Sequence, residues 1–236
     1  MSGAGLADAR DPRSLSTKFR ARRDVLLRDF IVQRRSAVAG PFRILDLGGT
    51  ADYWRRVGFD WLEANDIDIT CVNHIATEFG ASEREAVRLR CIVADARAMT
   101  EHADDSFDFV HSNSVIEHVG RWSDMRAFAD ECRRLAPAYY VQTPYQWFPI
   151  DPHFYRVPFF HWFPQSLRMK LVRRMQVGWS KAQPDVDRAM NIVESAVLLD
   201  RTQFVSLYPD AEIRFERLAL LPKSLIAIRG MTEPSR

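Results

Sequence analysis

Short apolar segments of strand type alternate with segments of helical character along most of this sequence. Helical segments at 51–57 and 122–135 stand among five of these strand-like segments. The five segments are 43–47, 67–72, 89–94, 107–112 and 139–143. A β-α rhythm of this kind predicts a parallel sheet that is covered by helices on both faces.

Two more strand-like segments close the sequence. They cover 212–220 and 224–229 and are separated only by Leu221-Pro222-Lys223, a joint short enough for a β-hairpin. We therefore expect the last two strands to be antiparallel. The residues before them, 193–208, read as a helix.

Two segments interrupt the rhythm and set the expected domain organisation. Residues 144–190 are rich in aromatic residues and proline and carry no strand signal, so a connection of this length predicts a lid insertion. Residues 14–37 read as a basic amphipathic helix. We divide the chain into a basic helical extension, 1–42, and a domain over 43–236. The apolar face expected for the helix comprises Phe19, Val25, Leu26, Phe30 and Ile31.

Composition excludes several classes of function. A formal net charge of +2 is too small for a chain built as a polycation for nucleic acid. No apolar run is long enough for a transmembrane helix, and the N-terminus lacks the apolar core of a secretory signal. Three scattered cysteines, Cys71, Cys91 and Cys132, favour a reducing cytoplasm over a disulfide framework or a cysteine zinc site.

Polar and small residues follow the strand-like segments. The first strand runs into Asp46-Leu47-Gly48-Gly49, the third is followed by Asp95, and the fourth by Asn113. Paired glycines after a strand let backbone N–H groups approach a ligand closely. In a parallel sheet these strand ends share one edge, and ligands bind outside it.

The order of these motifs resembles the class I S-adenosylmethionine-dependent methyltransferases that act on small molecules, with a bacterial character. The resemblance covers about 43–143 and 193–229. It implies S-adenosylmethionine as cofactor and a Rossmann-like, mostly parallel seven-stranded α/β sheet with a C-terminal antiparallel hairpin. The segments that carry it are RILDLGGT, RCIVADAR and FDFVHSNSVIEHV.

The resemblance also implies cofactor-binding residues. Asp46 is expected near the methionyl amino group, and Gly48 and Gly49 near the methionine and ribose. Asp95 is expected to accept from the adenine amino group, with the Ala96 N–H against the ring. Two further positions, Ser112 and Asn113, are expected at the methionine end.

Two positions depart from the family pattern. Thr50 stands where a third glycine is usual. Asn73 stands at the end of the second strand, where an acidic residue commonly binds the ribose hydroxyls. An asparagine still donates to and accepts from a hydroxyl, but without a charge-assisted bond.

Candidate catalytic residues are His118, after the fourth strand, and His153, in the insertion. A hydroxyl acceptor needs a base, and histidine suits that role near neutral pH. The reaction expected is therefore methyl transfer, at oxygen, to a small or amphiphilic metabolite. Glu117-His118 also resembles part of the E-x-x-E-H metal motif of some quinone-pathway methyltransferases. The candidate ligands are Glu117, His118, Asp151 and His153. Because Ser114 replaces the first glutamate of the motif, the site is incomplete and we expect no metal.

Two alternatives remain open from the sequence. One is a catalytically inactive methyltransferase-like protein that serves as a binding or scaffold subunit. The other is a nicotinamide-dependent oxidoreductase, which the absence of G-x-G-x-x-G and the terminal hairpin disfavour.

Expected partners follow from the insertion. Its aromatic residues suit a hydrophobic or lipid-linked substrate, and its segment 165–179 combines apolar with basic residues in the manner of helices that lie on anionic membranes. We expect a cytoplasmic protein with possible contact at the inner membrane surface and no nucleic-acid partner. The sequence does not indicate an oligomeric state.

Overall fold

The computed structural model describes residues 15–78 and 88–230, and seven strands in this part of the chain form one sheet. The strand order is β3-β2-β1-β4-β5-β7-β6. The first five strands pair in parallel, whereas β7 is antiparallel to both β5 and β6. The strands are Phe42–Leu47 (β1), Ile67–Asn73 (β2), Leu89–Val93 (β3), Phe109–Asn113 (β4), Tyr139–Pro144 (β5), Glu212–Leu218 (β6) and Leu221–Arg229 (β7). This architecture confirms the expected fold class.

Helices cover both faces of the sheet. One apolar core joins α1, α2 and α3 to the first face, and a second core joins α4 and α7 to the other. β5 is buried along its whole length and β1 is buried except at Arg43, because both faces of these central strands are covered. The helices are Leu15–Arg35 (α1), Ala51–Val57 (α2), Phe59–Ala64 (α3), Trp122–Leu135 (α4), Gln165–Arg174 (α5), Val186–Val193 (α6) and Arg201–Leu207 (α7).

Helix α1 packs on the sheet through a face that differs from the expected one. Leu27, Phe30 and Ile31 are buried, at the i, i+3, i+4 spacing of a single helical stripe. Val25 and Leu26 are exposed, so the sequence-based assignment of these two was wrong. The expected contribution of the Phe19 side chain lies outside the described residues.

Two other boundaries differ from expectation. The single helix expected over 193–208 is two helices, because α6 ends at Val193 and Asp200 begins α7 with a capping box. The joint of the hairpin lies at Ala219-Leu220, with Ala219 at φ 53°, and not at 221–223. Leu221 to Lys223 belong to β7. Pro222 is tolerated because it lies near the start of this strand, where the strand is not fully buried.

The segment between β5 and α7 builds a small apolar core of its own. It contains a 3₁₀ turn, Phe160–Trp162, followed by α5 and α6, which pack against each other. The buried residues of this core are Phe154, Phe160, Val172, Val177, Ala189 and Val193. The division into an extension, a domain and a lid over 144–190 stays a prediction.

No helix among the described residues is long and apolar enough to cross a bilayer.

The carboxylate of Asp46 is buried between β1, α2 and β4. It accepts hydrogen bonds from the Trp54 indole N–H and from His111 Nδ1, each at 2.7 Å. The other ring nitrogen of His111 lies 3.2 Å from the Tyr53 hydroxyl, and burial raises the pKa of Tyr53 well above its usual range. A buried charge that has both donors in place is far less costly than one that lacks either of them.

We predict that Asp46→Asn lowers the free energy of unfolding by about 1–3 kcal/mol, because the amide nitrogen must face one of two N–H donors. Urea unfolding followed by tryptophan fluorescence measures this change. The matched control is Asp52→Asn on the exposed side of α2, expected within about 0.5 kcal/mol of the wild type. Equal stabilities for the two variants would contradict the assignment.

Candidate functional site

The turn after β1 is shaped by two glycines. Gly48 has φ +76°, and a side chain there would collide with Val115. Gly49 lies directly against the Asp46 carboxylate, so a Cβ at this position would overlap it. The Asn73 amide donates to the Gly49 carbonyl at 2.6 Å and fixes the turn to the end of β2.

Thr50, which departs from the family pattern, has a local structural role. Its hydroxyl accepts from the Tyr53 backbone N–H at 3.2 Å and caps the N-terminus of α2. Glycine has no side chain to make this bond. Thr50 therefore provides a helix cap where a third glycine would provide backbone freedom.

A cavity of about 400 Å³ opens at the carboxyl edge of β1, β2, β3 and β4, next to this turn. Five of the residues singled out in the sequence line it. The lining consists of Gly48, Val72, Asn73, His74, Ala94, Asp95, Ala96, Arg97, Ser114, Val115, His118 and Val119. Its volume is in the range typical of sites for small molecules and cofactors.

Four expected cofactor-binding residues do not line this cavity. Asp46 is held by Trp54 and His111, and Gly49 packs against the Asp46 carboxylate. The two residues therefore flank Gly48, which is the residue of this turn that lines the cavity.

The other two are Ser112 and Asn113. Ser112 is fully buried and donates to the Leu47 carbonyl at 3.0 Å. Asn113 accepts from Arg23 of α1 at 3.0 Å. Both side chains therefore connect β4 to neighbouring elements.

Sequence reasoning did not assign several of the lining residues to the site. Two of them, Ser114 and Arg97, are polar and form hydrogen bonds to other side chains. Ser114 has φ 58° and donates to the Gln142 side chain at 3.0 Å. Its left-handed backbone turns the chain away from β4 into the 3₁₀ turn Ile116–His118. No local pattern in the sequence signals a left-handed serine, since glycine and asparagine are the usual residues there.

Asp95 forms an ion pair with Arg97. Its two oxygens lie 2.9 Å and 2.8 Å from Arg97 Nε and Nη2. The hydrogen bond from the Arg97 side chain, together with its charge, lowers the pKa of Asp95. Arg97 also reaches Asp124 of α4 at 3.0 Å. The carboxylate of Asp95 thus stays ionised at the cavity, where it accepts hydrogen bonds.

A second cavity, of about 310 Å³, lies within the insertion. Its wall mixes apolar side chains with hydroxyl and amide groups. The lining consists of His153, Phe154, Val177, Gly178, Trp179, Ser180, Asn191, Ile192 and Ser195. Gly178 packs so closely against the His153 carbonyl that any side chain there would overlap it.

The two histidines expected to be catalytic are in direct contact. His118 lines the first cavity and His153 the second. Their Nε2 atoms are 3.0 Å apart, and the rings are nearly perpendicular at 88°. The structure therefore brings these two candidates together at the junction of the two cavities.

Each ring is oriented through its other nitrogen. His118 Nδ1 donates to the Ser195 carbonyl at 2.6 Å, and His153 Nδ1 donates to the buried Asp151 carboxylate at 2.7 Å. Burial lowers the pKa of His153, but the bond to Asp151 and the negative charges of Asp151 and Glu117 outweigh it, so the pKa is raised.

Glu117 lies beside the pair and is almost entirely buried. Its Oε2 accepts from the Thr143 hydroxyl at 2.9 Å, whereas its Oε1 has no hydrogen-bond partner. Burial raises the pKa of this carboxyl above its usual range. These residues were considered as metal ligands from the sequence and no metal was expected, whereas the structure places ligand atoms of Glu117, His118 and His153 within 4.8 Å of one another.

Comparisons with known proteins agree with this geometry. Residues 47–137 match the family model described as a methyltransferase domain. No curated protein sequence matches the chain.

Solved structures with the same fold include three methyltransferases. A carbon methyltransferase named CurJ has a TM-score of 0.55 at 11% identity, over 89% of this chain and 54% of that one. A methyltransferase from Methanosarcina mazei described as SAM-dependent has a TM-score of 0.55 at 13% identity, over 86% and 95%. Phosphoethanolamine N-methyltransferase 2 from Haemonchus contortus, solved with phosphomonomethylethanolamine and S-adenosylhomocysteine, has a TM-score of 0.51 at 15% identity, over 82% and 38%. The chain thus spans about half of the first of these structures, and at such identities the likeness shows the fold.

The methyltransferase family model covers the glycine turn and the strand ends that line the first cavity. The strand order and the antiparallel β7 are those expected from the resemblance of the motifs. S-adenosylmethionine is the cofactor that this assignment implies. Residues 47–137 thus match a methyltransferase domain, and the fold around them is the one seen in S-adenosylmethionine-dependent methyltransferases.

Proposed function

We propose that this protein transfers the methyl group of S-adenosylmethionine to an oxygen atom of a small or amphiphilic metabolite. The observation that carries the proposal is the contact between His118 and His153, one in the wall of each cavity. The first cavity takes the cofactor and the second takes the acceptor. The histidine pair then faces the acceptor's hydroxyl group.

Methyl transfer to oxygen requires that the reacting groups are aligned and that one proton is removed. The acceptor oxygen attacks the methyl carbon in line with the sulfonium, the S–CH₃ bond breaks, and its electron pair stays on sulfur as the thioether. The hydroxyl proton must leave, which neutral imidazole or a Lewis acid promotes. An oxygen acceptor is favoured because His118 and His153 lie together at the junction between the cavities.

Within the first cavity we assign the adenine end to Asp95 and the Ala96 N–H, since both line it beside β3. Asn73 is assigned to the ribose hydroxyls. Gly48 is assigned to the methionine part, because its bare Cα lets the backbone approach. The remaining expected residues, Asp46, Gly49, Ser112 and Asn113, act through the shape of the turn and of β4.

We predict that Asp95→Ala weakens S-adenosylhomocysteine binding by about 10- to 100-fold, the loss expected for a hydrogen bond to a charged group. Isothermal titration measures it. The control is Asp124→Ala, which removes the other carboxylate that contacts Arg97 but lies outside the cavity wall; its affinity is expected within about 3-fold of the wild type. Equal losses would assign the effect to the placement of Arg97 and contradict a direct role for Asp95.

The acceptor cavity is tested by filling it. We predict that Asn191→Trp, at an exposed position on its wall, lowers kcat/KM for methyl transfer at least about 10-fold through lost acceptor binding. Affinity for S-adenosylhomocysteine is expected to stay unchanged. Transfer of labelled methyl from S-adenosylmethionine to a panel of phenols, alcohols and lipid-linked hydroxyl compounds supplies the activity.

The control for this experiment is Arg188→Trp, on the same helix but outside the cavity. If Arg188→Trp lowers transfer as much as Asn191→Trp, the cavity is not the acceptor site. Cofactor binding without transfer to any acceptor would favour the scaffold alternative. Absence of S-adenosylhomocysteine binding together with binding of a nicotinamide dinucleotide would favour the oxidoreductase.

We also propose that the acceptor is reached at an anionic membrane surface, with the protein in the cytoplasm. Trp147, Phe159 and Trp162 of the insertion are exposed and contact one another. Helix α5 follows them with Lys170 and Arg174 exposed. Aromatic rings beside cationic groups suit the headgroup region of such a membrane. Cys71, Cys91 and Cys132 form no disulfide, which is compatible with a reducing compartment.

Cosedimentation with vesicles of anionic phospholipid tests this surface. We predict that the wild type binds, and that Trp147→Ser combined with Trp162→Ser weakens binding at least about 10-fold by removing the interfacial rings. Trp122→Ser, on exposed Trp122 of α4, is the control and is expected to bind like the wild type. Wild-type protein that stays in the supernatant would refute the membrane contact and leave methyl transfer untouched.

A further inference from the structure

Three potential ligand atoms converge at the junction of the two cavities. Glu117 and His118 lie on the 3₁₀ turn Ile116–His118 that follows β4, whereas His153 comes from the insertion. One atom from each lies within 4.8 Å of the other two. These groups approach from two separate parts of the chain.

The hydrogen bonds of the two rings determine where their lone pairs point. A carbonyl oxygen and a carboxylate only accept, so His118 Nδ1 and His153 Nδ1 must both carry hydrogen. In the neutral rings both Nε2 atoms are therefore lone-pair donors. These two lone pairs lie 3.0 Å apart, so the contact requires either a proton on one Nε2 atom or a metal cation bound by both.

The carboxylate adds a third electron-pair donor. Glu117 is 1% exposed, and its Oε1 has no hydrogen-bond partner. No ion pair between described residues brings a lysine or arginine to it. A buried oxygen of this kind costs free energy unless a cation or a donor satisfies it.

We propose that Glu117, His118 and His153 bind a divalent transition-metal ion of the Zn²⁺ type. Two imidazole nitrogens and one carboxylate oxygen form a donor set that suits Zn²⁺ and its first-row neighbours, whereas Mg²⁺ and Ca²⁺ prefer oxygen ligands throughout. This inference goes beyond the proposed function, although the role of the ion in catalysis rests on it.

The distances suit such an ion. Two Zn–N bonds of about 2.05 Å at a tetrahedral angle place the nitrogens about 3.3 Å apart. The observed separation of 3.0 Å needs to open by only a few tenths of an ångström.

The second coordination sphere is also in place. Asp151 accepts from His153 Nδ1, the Ser195 carbonyl accepts from His118 Nδ1, and Thr143 holds Oε2 of Glu117. Metal-bound histidines usually donate their other N–H to a carboxylate or carbonyl, which fixes the tautomer and the ring orientation. Each of the three proposed ligands therefore has a hydrogen-bond partner that orients it.

Three protein ligands leave a coordination position for the substrate. Because the ion lies between the cavities, that position takes the acceptor's hydroxyl oxygen. Coordination lowers the pKa of the hydroxyl, its proton passes to water, and the oxygen attacks the methyl group of the cofactor.

Zn²⁺ titration of the untagged, chelator-treated protein tests the site in the absence of cofactor and acceptor. We predict one Zn²⁺ per chain by calorimetry, retained after dialysis as measured by metal analysis, with Mg²⁺ failing to compete. His153→Ala and Glu117→Gln are expected to abolish retention. Asp151→Asn is expected to weaken affinity about 10- to 100-fold, as for other outer-sphere groups.

His102→Gln serves as the matched control, since His102 contacts Phe107 away from both cavities. It is expected to bind Zn²⁺ like the wild type. Circular dichroism and S-adenosylhomocysteine titration on each variant show that the fold and the cofactor site remain. Lack of Zn²⁺ binding by the wild type, or equal binding by every variant, would overturn the metal site. S-adenosylhomocysteine binding in either case leaves the proposed function standing, whereas its absence with Zn²⁺ bound refutes that function alone.

Discussion

The buried carboxylate of Asp46 is the interaction on which the cofactor edge depends. Its charge is acceptable in the interior only because the Trp54 indole and His111 both donate to it. These three residues connect β1, α2 and β4. Gly49 then follows the carboxylate so closely that no side chain fits, and the backbone is forced into the turn that Gly48 presents to the cavity. The turn that borders the first cavity is therefore set by the hydrogen bonds of one buried carboxylate.

A second set of contacts determines how the two cavities meet. The chain leaves β4 through the left-handed Ser114 and enters the 3₁₀ turn that carries Glu117 and His118. The insertion returns His153 to the same place, where Asp151 and the backbone packing of Gly178 fix it. The contact between His118 and His153 thus relies on a few polar bonds.

The sequence predicted those features that periodicity and local chemistry encode. The strands, the terminal antiparallel pair and the glycine turn follow from runs of apolar residues and from glycine after a strand. His118 and His153 were both identified, but their contact was not, because residues 35 positions apart meet only through tertiary structure. The same residues were considered as metal ligands and the site was rejected, because the local motif lacks a glutamate at Ser114 and only tertiary structure shows that His153 meets Glu117 and His118. The break between α6 and α7 was missed because apolar residues continue up to and past the capping residue. The buried face of α1 was misassigned because apolar residues also stand outside its helical stripe.

The separate apolar core of the insertion has a consequence for the shape of the second cavity. Phe154, Phe160, Val172 and Val193 pack among themselves, apart from the two cores that flank the sheet. Substitutions that reshape this small core leave the strand ends and the glycine turn in place. The wall of the second cavity can therefore change in shape through this small core while the first cavity keeps its own.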